Sequence, residues 1–145
     1  MEMNGIAHIA LVVPNLEKCR SFYRSLFAFL EMKLIYDNES MVYGVGSRTG
    51  ILIRQAEAEY SHEEIEQGKV GIHHYCFRAR SREDIDGLYE FLLGTEAKIV
   101  REPEEGSWAP GYYSVLFEDP VGIRIEANFV PGKGNLDSDV RLPLQ

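Results

Sequence analysis

The chain has 145 residues, 45% of them apolar, enough for one proper core and too short for two ordinary domains. Its formal charge of -8 argues against a nucleic-acid or anionic-membrane partner, which needs clustered Lys and Arg, and no run of residues resembles a signal peptide or a membrane span. The expectation is a soluble, cytoplasmic protein whose partner is a small molecule, with Cys19 and Cys76 as free thiols.

In chain order, Gly5 to Val13 is a β-rich run closed by Pro14 and Asn15. Asn15 is placed to cap a helix on which Leu16, Cys19, Phe22, Tyr23, Leu26 and Phe27 recur with helical spacing. Three β-like pieces follow, Lys33 to Tyr36, Met41 to Val45 and Ile51 to Gln55, so the first half is βαβββ. Residues 56 to 69 carry five acids and no strong apolar period, and read as a linker.

The pattern then restarts. Gly71 to Phe77 is β-like, and Ser81 to Asp84 has the form of a capping box opening a helix with Ile85, Leu88, Tyr89 and Leu92 on one face. An offset of 66 residues relates Gly5 to Gly71, Ile6 to Ile72, His8 to His74 and Tyr23 to Tyr89, the mark of a duplicated unit. Lys98 to Arg101, Tyr112 to Phe117 and Ile123 to Phe129 supply the remaining strands. The fold class expected is α+β: two tandem βαβββ modules, about 5–57 and 71–130, joined by a linker at 58–70 and followed by a tail at 131–145. Since neither half buries enough surface alone, the two sheets should combine into one cupped, mostly antiparallel sheet with helices outside. The tail, with Pro131-Gly132-Lys133-Gly134, is expected to be mobile or to pack on a partner chain.

Asp119-Pro120-Val121-Gly122 is a tight turn that launches a strand ending in Glu126. By alternation Glu126 lies opposite Ile123 and Ile125, and His8 and His74 can each face away from the residues that pack the helices. Two neutral imidazoles and a carboxylate leave coordination positions open, as a Lewis-acidic or oxygen-activating metal requires. His73 has the opposite parity and is set aside, and His62 is a solvated loop residue. Cys76 shares the parity of His74 and is expected to be a buried, inert thiol. Trp108, Tyr112 and Tyr113 lie in or beside Gly106 to Gly111, where they stack on a substrate or cover the sheet edge.

The duplicated βαβββ unit, His8, His74 and the Asp119 to Gly122 turn leading to Glu126 together resemble the vicinal oxygen chelate superfamily over residues 5 to 130. That superfamily includes glyoxalase I, extradiol dioxygenases, methylmalonyl-CoA epimerase, fosfomycin-modifying enzymes and bleomycin-sequestering proteins. The resemblance implies a divalent metal, one of Fe, Mn, Ni, Co or Zn, held by His8, His74 and Glu126 in a metal-dependent lyase, isomerase or dioxygenase. Its substrate would be a small molecule that chelates the metal through vicinal oxygens. It also implies a homodimer.

A second acid in the first module would resemble glyoxalase I. Aligning strand ends puts Arg54 opposite Glu126, and a slip of one residue puts Gln55 there, whose amide oxygen would ligate as in methylmalonyl-CoA epimerase; register decides between them. Arg54 or Arg124 would then pair with a substrate anion. Departures from the family patterns are Trp108 and Leu116, where extradiol dioxygenases carry His and Tyr, and Ala10, where fosfomycin-type enzymes carry a hydroxyl residue. The alternative is a metal-free binding protein of the bleomycin-sequestering type, its groove lined by Trp108, Tyr112 and Tyr113.

Overall fold

The structure is a computed structural model that describes residue 3 and residues 5–136; the outer part of the expected tail lies outside the described residues. The chain divides into two compact units, Met1–Ile65 and Glu66–Gln145. Each has one helix against one four-stranded sheet with a single parallel and two antiparallel pairs, giving the expected α+β class with mostly antiparallel pairing.

In the first unit, strand β1 (His8–Val13) leads into helix α1 (Leu16–Phe29), and β2 (Lys33–Asn38), β3 (Met41–Gly46) and β4 (Thr49–Gln55) complete a sheet of order β1-β4-β3-β2. Asn15 caps α1 through its side chain, which accepts from the backbone N–H of Lys18 at 3.1 Å. The helix buries Leu16, Cys19, Phe22, Tyr23, Leu26 and Phe27 on the sheet face made by Leu11, Val13, Val42, Ile51 and Ile53. Phe27 lies so close over Gly44 that a Cβ there would fall 2.5 Å from its ring, so glycine is what permits the approach. Arg20 and Arg24 both reach Asp37 on β2, pinning the helix to the edge strand with the Arg20 side chain only 11% exposed.

The second unit repeats the plan with β5 (Tyr75–Arg78), α2 (Arg82–Leu93), β6 (Lys98–Glu105), β7 (Tyr113–Glu118) and β8 (Arg124–Phe129), in the order β5-β8-β7-β6. Ser81 and Asp84 form the full reciprocal capping box. Ile85, Leu88 and Leu92 pack on Tyr75, Val115, Phe117, Ile125 and Ala127.

Strand β5 is shorter than the sequence suggests. Its register with β8 begins at Tyr75 opposite Ile125, and β8 itself begins only at Arg124, so residues 71–73 would fall opposite the turn before β8 and not opposite the strand. The duplicated glycines Gly5 and Gly71 both take positive φ, 105° and 154°. The linker contains one 3-10 turn, Ala58–Tyr60.

The turn before β8 closes on Asp119. Its Oδ1 accepts from the N–H groups of Val121 (2.9 Å) and Ile123 (2.8 Å), its carbonyl accepts from Gly122, and its N–H donates to the Ile123 carbonyl. Gly122 supplies the positive φ, 96°. The start of β8 is thereby fixed, and with it which residues face α2.

Candidate metal centre

Glu126 occupies the middle of the second sheet, on the face away from α2. Its register neighbours are Cys76 on β5 and Leu116 on β7, and its side chain is 7% exposed. A buried carboxylate needs compensating donors, and here each oxygen has its own. Oε1 accepts from the Tyr112 hydroxyl at 2.7 Å and lies 3.4 Å from Nη2 of Arg101, which also donates to Ser114 Oγ at 3.0 Å. Oε2 faces Nε2 of His74 at 3.0 Å. One oxygen is thus anchored, and the other is presented to the imidazole.

His74 is oriented in turn by its neighbour. Nδ1 of His73 lies 2.7 Å from Nδ1 of His74, with the rings edge to face. A carboxylate only accepts, so a neutral His74 carries its proton on Nε2 and accepts at Nδ1, and His73 is the donor. Strand alternation set His73 aside because it assumed a strand through residues 71–77. With β5 starting at Tyr75, parity says nothing about this pair; the adjacency of two histidines was the only sequence signal.

Tyr112 is buried. Burial pushes its hydroxyl up to about 12, opposed by Asn128 and reinforced by Glu126, so it remains a donor at neutral pH. Its role at Glu126 was not legible from its place among loop aromatics. Tyr113 points to the helix side, where its hydroxyl donates to Asp86 Oδ1 at 2.7 Å and the Arg82 guanidinium sits 4.0 Å over its ring. Trp108 is 60% exposed in the loop before β7. Arg124 is bonded through Nε and Nη2 to Glu118 Oε1, at 3.2 and 2.7 Å.

Cys76 corrects the expectation of a buried thiol. It is free and exposed because it stands beside Glu126 on the face that α2 does not cover. The thiol is nonetheless pushed up to about 12, by desolvation first and the Glu126 charge second, which leaves little thiolate to react. Cys19 is free and buried.

In the first unit His8 is exposed on the face away from α1, with Gly50 as its register partner. Tyr43 lies across Gly50, since a Cβ there would fall 2.5 Å from the Tyr43 hydroxyl. Strand pairing also replaces the alignment made from strand ends. Cys76, two residues after His74, pairs with Glu126, whereas Ala10, two residues after His8, pairs with Leu52. The position matching Glu126 is therefore Leu52, neither Arg54 nor Gln55. Arg54 shares the face of His8, as the partner of Val12, and is exposed. Gln55 lies on the helix side, where its Oε1 accepts from the Leu16 N–H and its Nε2 donates to the Pro14 carbonyl, both at 2.8 Å.

A divalent ion suits what the second unit offers. An imidazole nitrogen and a carboxylate oxygen converge on an open sheet face, and the carboxylate is steadied from behind by Tyr112 and Arg101. Among the described residues, no group of three or more His, Cys, Asp and Glu is gathered to hold an ion within either unit. His74 and Glu126 are a two-donor pair.

Two βαβββ units with a histidine in matching places, and a carboxylate facing the second, define the vicinal oxygen chelate class. A family model for the Glyoxalase/Bleomycin resistance protein/Dioxygenase superfamily matches residues 5–127, and the chain belongs to that superfamily. It is 28% identical over 120 residues to the uncharacterized protein YqjT of Bacillus subtilis (strain 168), spanning 82% of this chain and 94% of that one. It is 26% identical over 126 residues to metallothiol transferase FosB of Shouchella clausii (strain KSM-K16), spanning 87% of this chain and 80% of that one. Among solved structures, a candidate glyoxalase of Bacillus halodurans superposes with a TM-score of 0.75 at 24% identity, over 88% of this chain and 96% of the other. No helix among the described residues is long and apolar enough to cross a membrane.

Proposed function

We propose that the chain is a metal-dependent enzyme that acts on a small substrate bearing vicinal oxygens, with His8, His74 and Glu126 as the metal ligands. The observation that carries this reading is the 3.0 Å approach of His74 Nε2 to Glu126 Oε2, with Oε1 already held by Tyr112. A bound divalent metal would polarise the substrate oxygens and stabilise negative charge that develops on them. Metal chemistry in this superfamily is supported by the relative named as a metallothiol transferase.

The chain's own residues divide the remaining work. Tyr112 keeps Glu126 in one rotamer and stays protonated. Arg101 ties the carboxylate to Ser114, and His73 fixes the ring plane of His74. With Leu52 in the place that matches Glu126, the first module contributes no second carboxylate, so coordination positions stay open for substrate. Gln55 would have to surrender two backbone bonds to serve as a ligand, which favours Arg54, on the face of His8, for pairing with a substrate anion.

The test is metal content per chain in untagged protein purified anaerobically, beside His8→Ala, His74→Ala and Glu126→Ala. Near-stoichiometric metal, lost in all three variants, supports the ligand set. Iron or manganese then directs the substrate search to dioxygenase substrates; nickel, cobalt or zinc directs it to lyase and isomerase substrates. Metal retained in His74→Ala removes the assignment, and no metal after reconstitution favours a sequestering protein.

A further inference from the structure

Beside the Glu126 site the second unit holds a pocket of about 220 Å³, lined by Arg78, Trp108, Tyr112, Asn128, Lys133 and Asn135 among others. Its walls are built rather than incidental. Asn135 Nδ2 donates to the Trp108 carbonyl at 3.1 Å, tying the 3-10 turn Gly134–Leu136 to the loop before β7. Gly111, at φ 70°, lets Pro131 pack where a Cβ would fall 2.7 Å from the proline ring. The wall from Val130 onward lies beyond residues 5–127, the part that the superfamily model matches.

The charge of this pocket runs against that of the chain. The whole sequence carries 23 Asp and Glu against 15 Lys and Arg. Yet no Asp or Glu is among the described residues lining the pocket, while Arg78 and Lys133 both line it. Of the other cations of this unit, Arg82, Lys98, Arg101 and Arg124 are paired with carboxylates, whereas Arg80, outside the pocket, makes no side-chain ion pair among the described residues. Arg78 and Lys133 make no ion pair among the described residues. The volume is below the roughly 300–1,000 Å³ of drug-sized sites, which limits the occupant to a fragment-sized molecule.

We propose that this pocket binds a small organic anion, a carboxylate on a flat apolar body, with Arg78 and Lys133 taking the charge and Trp108 and Tyr112 the flat face. Tyr112 connects this pocket to the candidate metal centre, because it lines the pocket while its hydroxyl holds Glu126. The proposal rests on the function proposed above only in calling the anion a substrate; binding itself needs no metal.

Trp108 is the only tryptophan in the sequence, so its fluorescence reports this pocket alone. Chelator-treated full-length protein is titrated with benzoate, with its neutral analogue benzamide, and with inorganic phosphate. The expected result is a saturable change with benzoate, little with benzamide or phosphate, and benzoate affinity reduced roughly fivefold in Arg78→Gln and in Lys133→Gln. Both positions are exposed, so neither variant threatens the fold. Equal responses to benzoate and benzamide overturn the proposal, as does phosphate binding as tightly as benzoate, the absence of any saturable change, or unaltered affinity in both variants. Metal content measured on the same preparations separates this outcome from the fate of His74 and Glu126, since the anion titration is run without metal.

Discussion

Replacing Tyr112 by Phe removes one oxygen and little volume, and so isolates the bond that anchors Glu126. The hydroxyl donates at 2.7 Å to a carboxylate whose side chain is 7% exposed, and hydrogen bonds to buried charged groups contribute about 1.5–3 kcal/mol. Arg101 remains at 3.4 Å and recovers part of that, so the expected loss of stability is about 1–2 kcal/mol, read from urea denaturation of metal-free protein. The larger effect should be on metal. An anchored carboxylate pays its ordering cost on folding, whereas a loosened one pays it on coordination; loss of such outer partners weakens metal binding by about 10–100-fold. Competition of stripped protein with a chromophoric chelator for Zn²⁺ or Mn²⁺ measures this directly. Affinity within about twofold of wild type, with the stability loss present, would refute the argument that Tyr112 organises a metal ligand.

Asp37 gives a pH signature. Arg24 chiefly, with help from Arg20 and against the cost of burial, holds its carboxyl below the usual value of 3.8. The contribution is therefore complete above pH 3.8 and fades as pH falls through the lower folded value; urea midpoints between pH 2 and 5 should drop more steeply in wild type than in Asp37→Asn. In Gly44→Ala the new methyl would stand 2.5 Å from the Phe27 ring, and a destabilisation of about 1–3 kcal/mol is expected by thermal melting. Asn15→Ala should cost about 1 kcal/mol through the cap on Lys18, while Asn15→Asp should cost little. His73→Phe keeps a ring beside His74 but removes the hydrogen-bond partner of its Nδ1, which donates to His73 once Nε2 holds a metal; a weakened metal affinity with an unchanged melting temperature would identify His73 as a positioning residue.

What the sequence made legible was what is decided locally. Asn15, Ser81 with Asp84, and the proline and glycine of the turn at Asp119 act within a few residues of themselves, and each appears in the structure as read. The apolar faces of both helices followed from period alone. Strand register was not legible, because β1 and β4 are joined through a helix and two intervening strands, one of which slips register between Leu34 and Tyr36. Counting from strand ends thus set Arg54 or Gln55 where Leu52 belongs. The site was legible to the extent that alternation reached it: alternation applies to Glu126 on β8, whereas His73, His74 and Tyr112 act from irregular backbone, to which it does not apply.

The closed turn at Asp119 has an evolutionary consequence. Because side chains alternate along β8, deleting or inserting one residue between Pro120 and Gly122 would exchange the two faces of the strand, sending Ile125 outward and Glu126 beneath α2. The hydrogen bonds that close this turn on Asp119 therefore tie its residue count to the position of the acid. A relative that has lost or gained a residue here should also have lost the acid, and its sheet face would then be free to take up a different chemistry.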